Sequence, residues 1–242
     1  MAYAVISDIH GNLAALEAVL RDIEGRSIES VYFTGDAVGY GPAPNQCVEL
    51  LKKSCEILIA GNHDWAAINY TSADYFNDMA LMAILWTSDT LTTENIAEIE
   101  NFKLLKSSEE RDVLFVHATP KEPENWNYLL SLSDARENFE HFTQRFCFIG
   151  HSHMPIIVER NGVTGRLFSD RQRVELKTEG RYIVNVGSVG QPRDNDPRAS
   201  YAVVDDETIE IVRVQYDIVR TQAEMESFGL PAKLIERLSY GH

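Results

Sequence analysis

The chain is short of the features that mark a disulfide scaffold, a membrane protein or a nucleic-acid binder. Its 242 residues include three cysteines, Cys47, Cys55 and Cys147. The number is odd and no pair has C-x-x-C spacing, so they read as reduced thiols and exclude a disulfide framework. Basic residues are scarce: 22 Lys plus Arg stand against 37 Asp plus Glu, a formal net charge of −15. A protein that binds long nucleic acid needs a basic footprint on the phosphate backbone, which this balance disfavours. A small phosphorylated substrate stays compatible with it, because what counts there is the charge of the site itself. No apolar run approaches the roughly 20 residues of a membrane span. The stretch Met1 to Ser7 has no basic segment and meets Asp8 and His10 within a strand's length, so it does not read as a signal peptide and a cytoplasmic protein is expected. Linkers rich in Pro or Ser, low-complexity segments and internal repeats are also lacking.

What is present is an alternation of strand and helix patterns. Tyr3 to Ser7 is a short apolar run, followed by Leu13, Leu16, Val19, Leu20 and Ile23 at helical spacing with Asn12 as a candidate N-cap. Val31–Thr34 and Ile57–Ala60 read as the next two strands, with a helix around Cys47–Leu51 between them. Residues 65–106 read mostly as helix and carry Trp65, Tyr70, Tyr75, Phe76 and Trp86; packing of an amphipathic helix on the core accounts for such side chains, with a substrate-covering lid or a nucleoside-stacking wall as the other reading. Val113–Val116 returns to strand, a helix is expected from about Ser133 to Gln144, and Phe146–Ile149 is the fifth strand. From Ile156 to Gln215 short strands alternate at hairpin spacing, with a turn at Asn161-Gly162. The segment from Asp217 reads as helix broken at Gly229-Leu230-Pro231. The whole, 1–242, is expected to be a single α/β domain with a helical extension over 217–242.

The chemistry-bearing residues fall at strand ends. Asp8 and His10 end the first strand, Asp36 the second, Asn62 and His63 the third, His117 the fourth, and His151 and His153 the fifth. Five of the seven histidines are placed this way. One Asp or His after a strand is ordinarily a helix cap or a turn residue. Five consecutive strand ends in one chain are a different matter, since the carboxyl edge of a parallel sheet is where open α/β folds place their ligands. The pattern points to a metal site. A mononuclear zinc site would need a closed set of three ligands and would leave Asn62 and half of these histidines idle.

Asp8-x-His10, Gly35-Asp36, Gly61-Asn62-His63-Asp64, His117 and Gly150-His151-Ser152-His153 resemble the five sequence blocks of the calcineurin-like metallophosphoesterase superfamily. Gly39-Tyr40-Gly41-Pro42 and Asn185-Val186-Gly187-Ser188 resemble its small bacterial and archaeal branch, with Val186 where Pro is common and Ala118 where Gly is common. The resemblance implies a four-layer αββα sandwich of two mixed sheets flanked by helices. It implies two divalent ions, one held by Asp8, His10 and His153, the other by Asn62, His117 and His151, with Asp36 shared. Manganese is the expected ion for activity, with Fe, Zn, Ni or Co as alternatives.

Such a centre hydrolyses a phosphate ester or phosphoanhydride by attack of a bridging hydroxide. Two ions, two carboxylates and that hydroxide sum to about +1, a locally cationic site in an acidic chain. The resemblance makes His63 the general acid, with Asp64 to orient it or to serve as a helix cap. Arg193 and Tyr40 are the candidate substrate-binding residues; an ion pair of Arg193 with Asp194 or Asp196 is the other reading of that arginine. A phosphomonoester (a phosphoprotein included), a phosphodiester, a nucleotide and a dinucleoside polyphosphate all remain open as substrate, as does self-association into a homo-oligomer. A non-catalytic scaffold of the retromer type has the same fold with a degraded site, whereas every ligand is present in this sequence.

Overall fold

The computed structural model describes residues 2–161, 164–168 and 173–242. The first half is the expected alternation. Strand β1 (Tyr3–Ile6) leads to α1 (Leu13–Glu24), whose N-cap Asn12 accepts from the Ala15 amide at 3.2 Å. Then come β2 (Ser30–Phe33), α2 (Pro44–Ser54), which opens on proline as a first helical turn favours, β3 (Ile57–Leu58) and α3 (Asn62–Ala67). Helices α4 (Asp78–Thr90) and α5 (Thr93–Ile99) follow, capped by Asn77 and Thr92. Strands β4 (Leu105–Ser108) and β5 (Val113–Val116), helix α6 (Leu132–Asn138) and β6 (Phe146–Ile149) complete this half. The second half is β7 (Ile156–Asn161), β8 (Thr164–Phe168), β9 (Arg173–Glu175), β10 (Arg181–Asn185), β11 (Ala199–Val204), β12 (Thr208–Val214), α7 (Ile218–Ser227) and α8 (Ala232–Glu236). The Asn161-Gly162 turn falls outside the described residues.

The strands form two six-stranded mixed sheets, ordered β3-β2-β1-β11-β12-β9 and β4-β5-β6-β10-β7-β8. Pairing is parallel for β1 with β2, β2 with β3, β5 with β6 and β6 with β10, and antiparallel for β1 with β11 and β10 with β7. The sheets face each other across Tyr3, Val5, Phe115, Phe148, Tyr182 and Val184, all buried. The outer face of the first sheet packs Ile6 and Phe33 against Leu16, Val19 and Leu51 of α1 and α2. The outer face of the second buries Val116, Cys147 and Ile149 against Ala135 of α6 and Phe139. These are the four layers αββα. A strand of the inner layers is apolar on both faces, and β5 and β6 are accordingly unbroken apolar runs, buried throughout.

Three differences from the sequence reading have local causes. The five site-bearing strands do not share one parallel sheet: β1, β2 and β3 belong to the first sheet, β5 and β6 to the second. Helix stops at Ala67 and resumes at Asp78, so Tyr70, Tyr75 and Phe76 lie on the intervening loop. Its polar side chains favour turns over helix, as where Ser72 Oγ accepts from the Asp74 amide at 3.0 Å. Helix α6 ends at Asn138 and not near Gln144; the Phe139 carbonyl, which a longer helix would pair with the amide four residues on, accepts instead from Arg160 Nη1 at 3.3 Å and from Arg181 Nη2 at 3.5 Å. The Arg181 guanidinium donates to Phe142 O at 2.5 Å and to Gln144 O at 3.1 Å. Among the described residues, no helix is long and apolar enough to cross a membrane.

Candidate metal centre

The carboxyl ends of β1, β2, β3, β5 and β6 converge where the two sheets meet, and bring all seven predicted ligands together. Asp8, His10, Asp36, Asn62, His117, His151 and His153 are all buried. Donor atoms lie within 4.8 Å of one another in three groups of described residues: Asp8, His10 and His153; Asp36, His117 and His151; and His10, Asp36 and His63. Asp36 joins the groups, with Oδ2 at 3.3 Å from His117 Nε2 and 3.6 Å from His10 Nε2. Asp8 Oδ1 is 3.1 Å from His153 Nε2.

Each ligand imidazole is fixed through one nitrogen by a main-chain carbonyl. The pairs are His10 Nδ1 with Val38 O (3.2 Å), His117 Nδ1 with Thr34 O (2.8 Å), His151 Nε2 with Trp126 O (2.8 Å) and His153 Nδ1 with Gln191 O (2.5 Å). A carbonyl can only accept, so that nitrogen carries the proton and its opposite presents a lone pair. The opposite nitrogens of His10 and His153 come within 3.0 Å of each other, an approach that a shared cation accounts for. Asp8 Oδ1, Asn62 Oδ1 and His117 Nε2 are buried without a hydrogen-bond partner. Asn62 and Tyr75 line one cavity. Carboxylate, imidazole and amide donors with lone pairs turned to common points fit two transition-metal ions.

The electrostatics agree. Burial alone would raise Asp8, but His153 beside it holds the carboxyl well below its usual range. Burial likewise opposes the lowering of Asp36, which His117 and His63 bring about. Burial pulls His117 down, yet Asp36 outweighs it and lifts the imidazole to about 9; a proton or a metal ion on Nε2 answers the same carboxylate. Burial lowers His151 to about 4 and, with Arg193 adding to it, His153 to about 3. Both rings are therefore neutral near pH 7, the state that metal ligation requires of an imidazole.

Backbone strain aims the donors. Asp8, His10, Asp36, His151 and His153 have φ of 54°, 51°, 61°, 66° and 59°, in the left-handed region. Each costs on the order of 1 kcal/mol and persists where surrounding structure enforces it. Two glycines give the loops room to close: a Cβ at Gly150 would overlap Asp8 Oδ2, and one at Gly61 would overlap Asp36 Oδ1.

His63 is buried, with its ring 4.8 Å from His10, 4.4 Å from Tyr40 and 4.7 Å from Phe76. Its Nδ1 has no partner and faces Gly39, where a Cβ would overlap it. Burial holds the imidazole well below its usual range, and Asp36 works against that.

Asp64, expected either to orient His63 or to cap a helix, takes the second place. Its Oδ2 accepts from the amides of Asp36 and Gly61 at 2.9 Å each, and its Oδ1 from Val38 at 3.2 Å. The third residue of a helix points its carboxylate back at the N-cap amide, which turns it from the imidazole. Asp64→Ala leaves three buried amides without acceptors and is expected to cost about 3 kcal/mol, or about 10 °C in melting temperature. A thermal melt followed by circular dichroism checks this; a change under about 2 °C, within surface-mutation noise, would mean that the loops hold without it.

Tyr40 and Arg193 lie together beside His10 and His153. The Tyr40 ring is 4.6 Å from His10, and its hydroxyl is 3.4 Å from Arg193 Nη2. The alternative ion pair of Arg193 does not form: Asp194 is engaged by Arg213, and Asp196 by Arg198 at 2.6 Å. A cavity of about 240 Å³ opens over Asn62, His63 and His151, with Tyr75, Trp126 and Tyr128 among its walls. Tyr128 stacks on His151 at 4.2 Å. The residues that sequence reasoning missed, Thr34, Val38, Trp126 and Gln191, act through main-chain carbonyls that any residue type supplies. Asn185 donates to Gly150 O at 2.6 Å and Ser152 Oγ at 3.0 Å, bracing the turn that carries both histidines.

Comparison with known proteins agrees with this geometry. The model of the calcineurin-like phosphoesterase superfamily domain matches residues 1–208. The chain is 41% identical over 242 residues to an uncharacterized protein of Methanocaldococcus jannaschii, covering 98% of this chain and 97% of that protein. The crystal structure of a metallophosphoesterase from Sphaerobacter thermophilus superposes with a TM-score of 0.87 at 40% identity, covering 100% of this chain and 99% of that one. A hypothetical protein of Pyrococcus horikoshii OT3 shares the fold at a TM-score of 0.82 and 20% identity, over 100% of this chain and 98% of that one.

Proposed function

The chain belongs to the calcineurin-like phosphoesterase superfamily, and from that premise we propose that it hydrolyses a small phosphate ester or phosphoanhydride at a centre of two divalent ions. The observation that carries this reading is the set of ring-to-carbonyl bonds that turn four imidazole lone pairs toward Asp8 and Asp36. Asp8, His10 and His153 would hold one ion, Asn62, His117 and His151 the other, and Asp36 both. The ions, manganese first among them, would supply Lewis acidity for the phosphoryl oxygens and a lowered pKa for a shared water.

The remaining work falls to the protein. His63 hands a proton to the departing oxygen; with Nδ1 packed on Gly39, Nε2 is the atom that does so. Burial keeps this ring neutral until a phosphoryl anion beside it favours the charged form. Tyr75 and Tyr128 wall the space a planar leaving group would take, and Arg193 offsets phosphoryl charge beside Tyr40. A cavity of about 240 Å³ supports a small ester over a phosphoprotein.

The test is turnover of chelator-stripped protein after adding Mn, Ni, Co, Zn or Mg. Para-nitrophenyl phosphate, bis-para-nitrophenyl phosphate and a diadenosine polyphosphate serve in parallel as monoester, diester and anhydride. Restoration by added metal is the expected result, and the preferred compound assigns the ester class. Two bound ions per chain without turnover on any of them would favour a non-catalytic scaffold.

A further inference from the structure

Beside the metal ligands, two arginines meet without a carboxylate between them. Arg193 follows the loop after β10, whereas Arg237 opens the short turn Arg237–Ser239 beyond α8, past the residues that match the family. Both donate to one neutral acceptor, Gln191 Oε1, Arg193 Nη2 at 3.0 Å and Arg237 Nη1 at 3.3 Å. Arg237 Nε also donates to His242 O at 2.6 Å. Neither arginine has an Asp or Glu partner among the described residues, since Asp194 and Asp196 are engaged by Arg213 and Arg198. Two donors are left over, because Arg193 Nε and Gln191 Nε2 are buried without partners. Two cations that share one neutral amide, with orphaned donors beside them, present more donors than the surrounding described side chains accept, in a chain of net charge −15.

The cluster is tied to the centre. The Gln191 carbonyl holds His153 Nδ1 at 2.5 Å, and the Arg193 amide donates to His153 O at 3.3 Å. Arg237 lines a groove of about 540 Å³ together with Asn77, Lys233, Glu236 and Tyr240, and Asn77 also lines the cavity above the metal ligands.

We infer that Arg193, Gln191 and Arg237 form a second anion subsite, which takes a further phosphoryl group of the substrate. The inference rests on the phosphoesterase reading and narrows it: the substrate class is a compound with two phosphoryl groups, and a simple monoester is the poorer ligand. Planar guanidiniums suit such a group because each offers paired donors at oxyanion spacing. Burial and the charge of Arg193 both hold Arg237 below its ordinary value, as expected of two cations that face one neutral amide.

Calorimetry on the manganese-loaded full chain tests it with methylenebisphosphonate and methylphosphonate, neither of which is hydrolysed. Wild type is expected to bind the bisphosphonate at least about tenfold tighter, the worth of one or two charge-assisted hydrogen bonds. Arg237→Gln should bring that ratio to about twofold, with Arg237→Lys in between. Gln191→Glu is nearly isosteric and leaves the carbonyl on His153 in place, but sets a carboxylate between the arginines. It should remove the preference while raising the melting temperature of the ligand-free protein, a pair of opposite effects that a merely structural role would not produce. A wild-type ratio near one, or a ratio preserved in both Arg237→Gln and Gln191→Glu, overturns the subsite. If the ratio behaves as expected and no ester is hydrolysed with any metal, the subsite stands and the phosphoesterase reading fails. If para-nitrophenyl phosphate is hydrolysed and the ratio is near one, the reverse holds.

Discussion

Asp36→Asn is expected to lower kcat on para-nitrophenyl phosphate by about 10³–10⁵-fold, equivalent to about 4–7 kcal/mol of transition-state stabilisation. Its carboxylate reaches both ligand groups: Oδ2 lies 3.3 Å from His117 Nε2 and 3.6 Å from His10 Nε2, while Oδ1 accepts the His63 amide at 2.9 Å. An amide keeps the shape but loses the charge, and its NH2 group turns donors where a ligand needs lone pairs. Two cations would then lie close together with one carboxylate, Asp8, in place of two, so affinity should fall for both ions. Elemental analysis of the purified variant is expected to give fewer than one equivalent of metal per chain after dialysis. The Asp36 main-chain amide still donates to Asp64, so circular dichroism should show the fold retained. Near-normal metal content with near-normal turnover would sink the shared-ligand assignment.

The layers and the candidate ligand set were legible in the sequence for different reasons. β5 and β6 were readable because inner strands of a four-layer sandwich are apolar on both faces, which leaves unbroken runs such as Val113–Val116 and Phe146–Ile149. The ligands stood out through residue type at strand ends. β4 escaped notice because Leu105–Ser108 is a mostly exposed edge strand, with no face whose apolar character would mark it. The division of the five strands between two sheets was not readable either, since a strand's partner is set by packing and leaves no trace in its own pattern. Least visible was the positioning of the imidazoles, which depends on main-chain carbonyls and on left-handed backbone at Asp8, His10, Asp36, His151 and His153. Asp and His adopt that conformation more readily than most residues, but still in a small minority of positions, so residue type alone does not mark it. The break at 68–77, in contrast, was there to be weighed in Thr71, Ser72, Asp74 and Asn77, but the aromatic residues among them suggested a continuous helical face.

His63→Ala should separate the general acid from a metal ligand, the two roles that its position permits. Its donor atom lies within 4.8 Å of those of His10 and Asp36, so a ligand role is a real competitor. As an acid, His63 matters in proportion to how much the leaving oxygen needs a proton. The variant should then retain both ions and lose about 10²–10⁴-fold in kcat on alkyl phosphates. On para-nitrophenyl phosphate, whose anion departs unaided, the loss should be under about tenfold. The acid must be protonated to act, so wild-type kcat on an alkyl phosphate should fall as pH rises through the value His63 has in the complex, and this limb should vanish in the variant. As a ligand, its removal would reduce metal content and slow every substrate alike. Burial sets the ring between Tyr40 at 4.4 Å and Phe76 at 4.7 Å, so alanine also opens a cavity worth about 2 kcal/mol of stability. His63→Gln keeps most of that volume and should show the same dependence on leaving group with less loss in melting temperature. Equal losses on alkyl and para-nitrophenyl phosphates in both variants, with metal content intact, would remove His63 from the proton transfer and return it to packing.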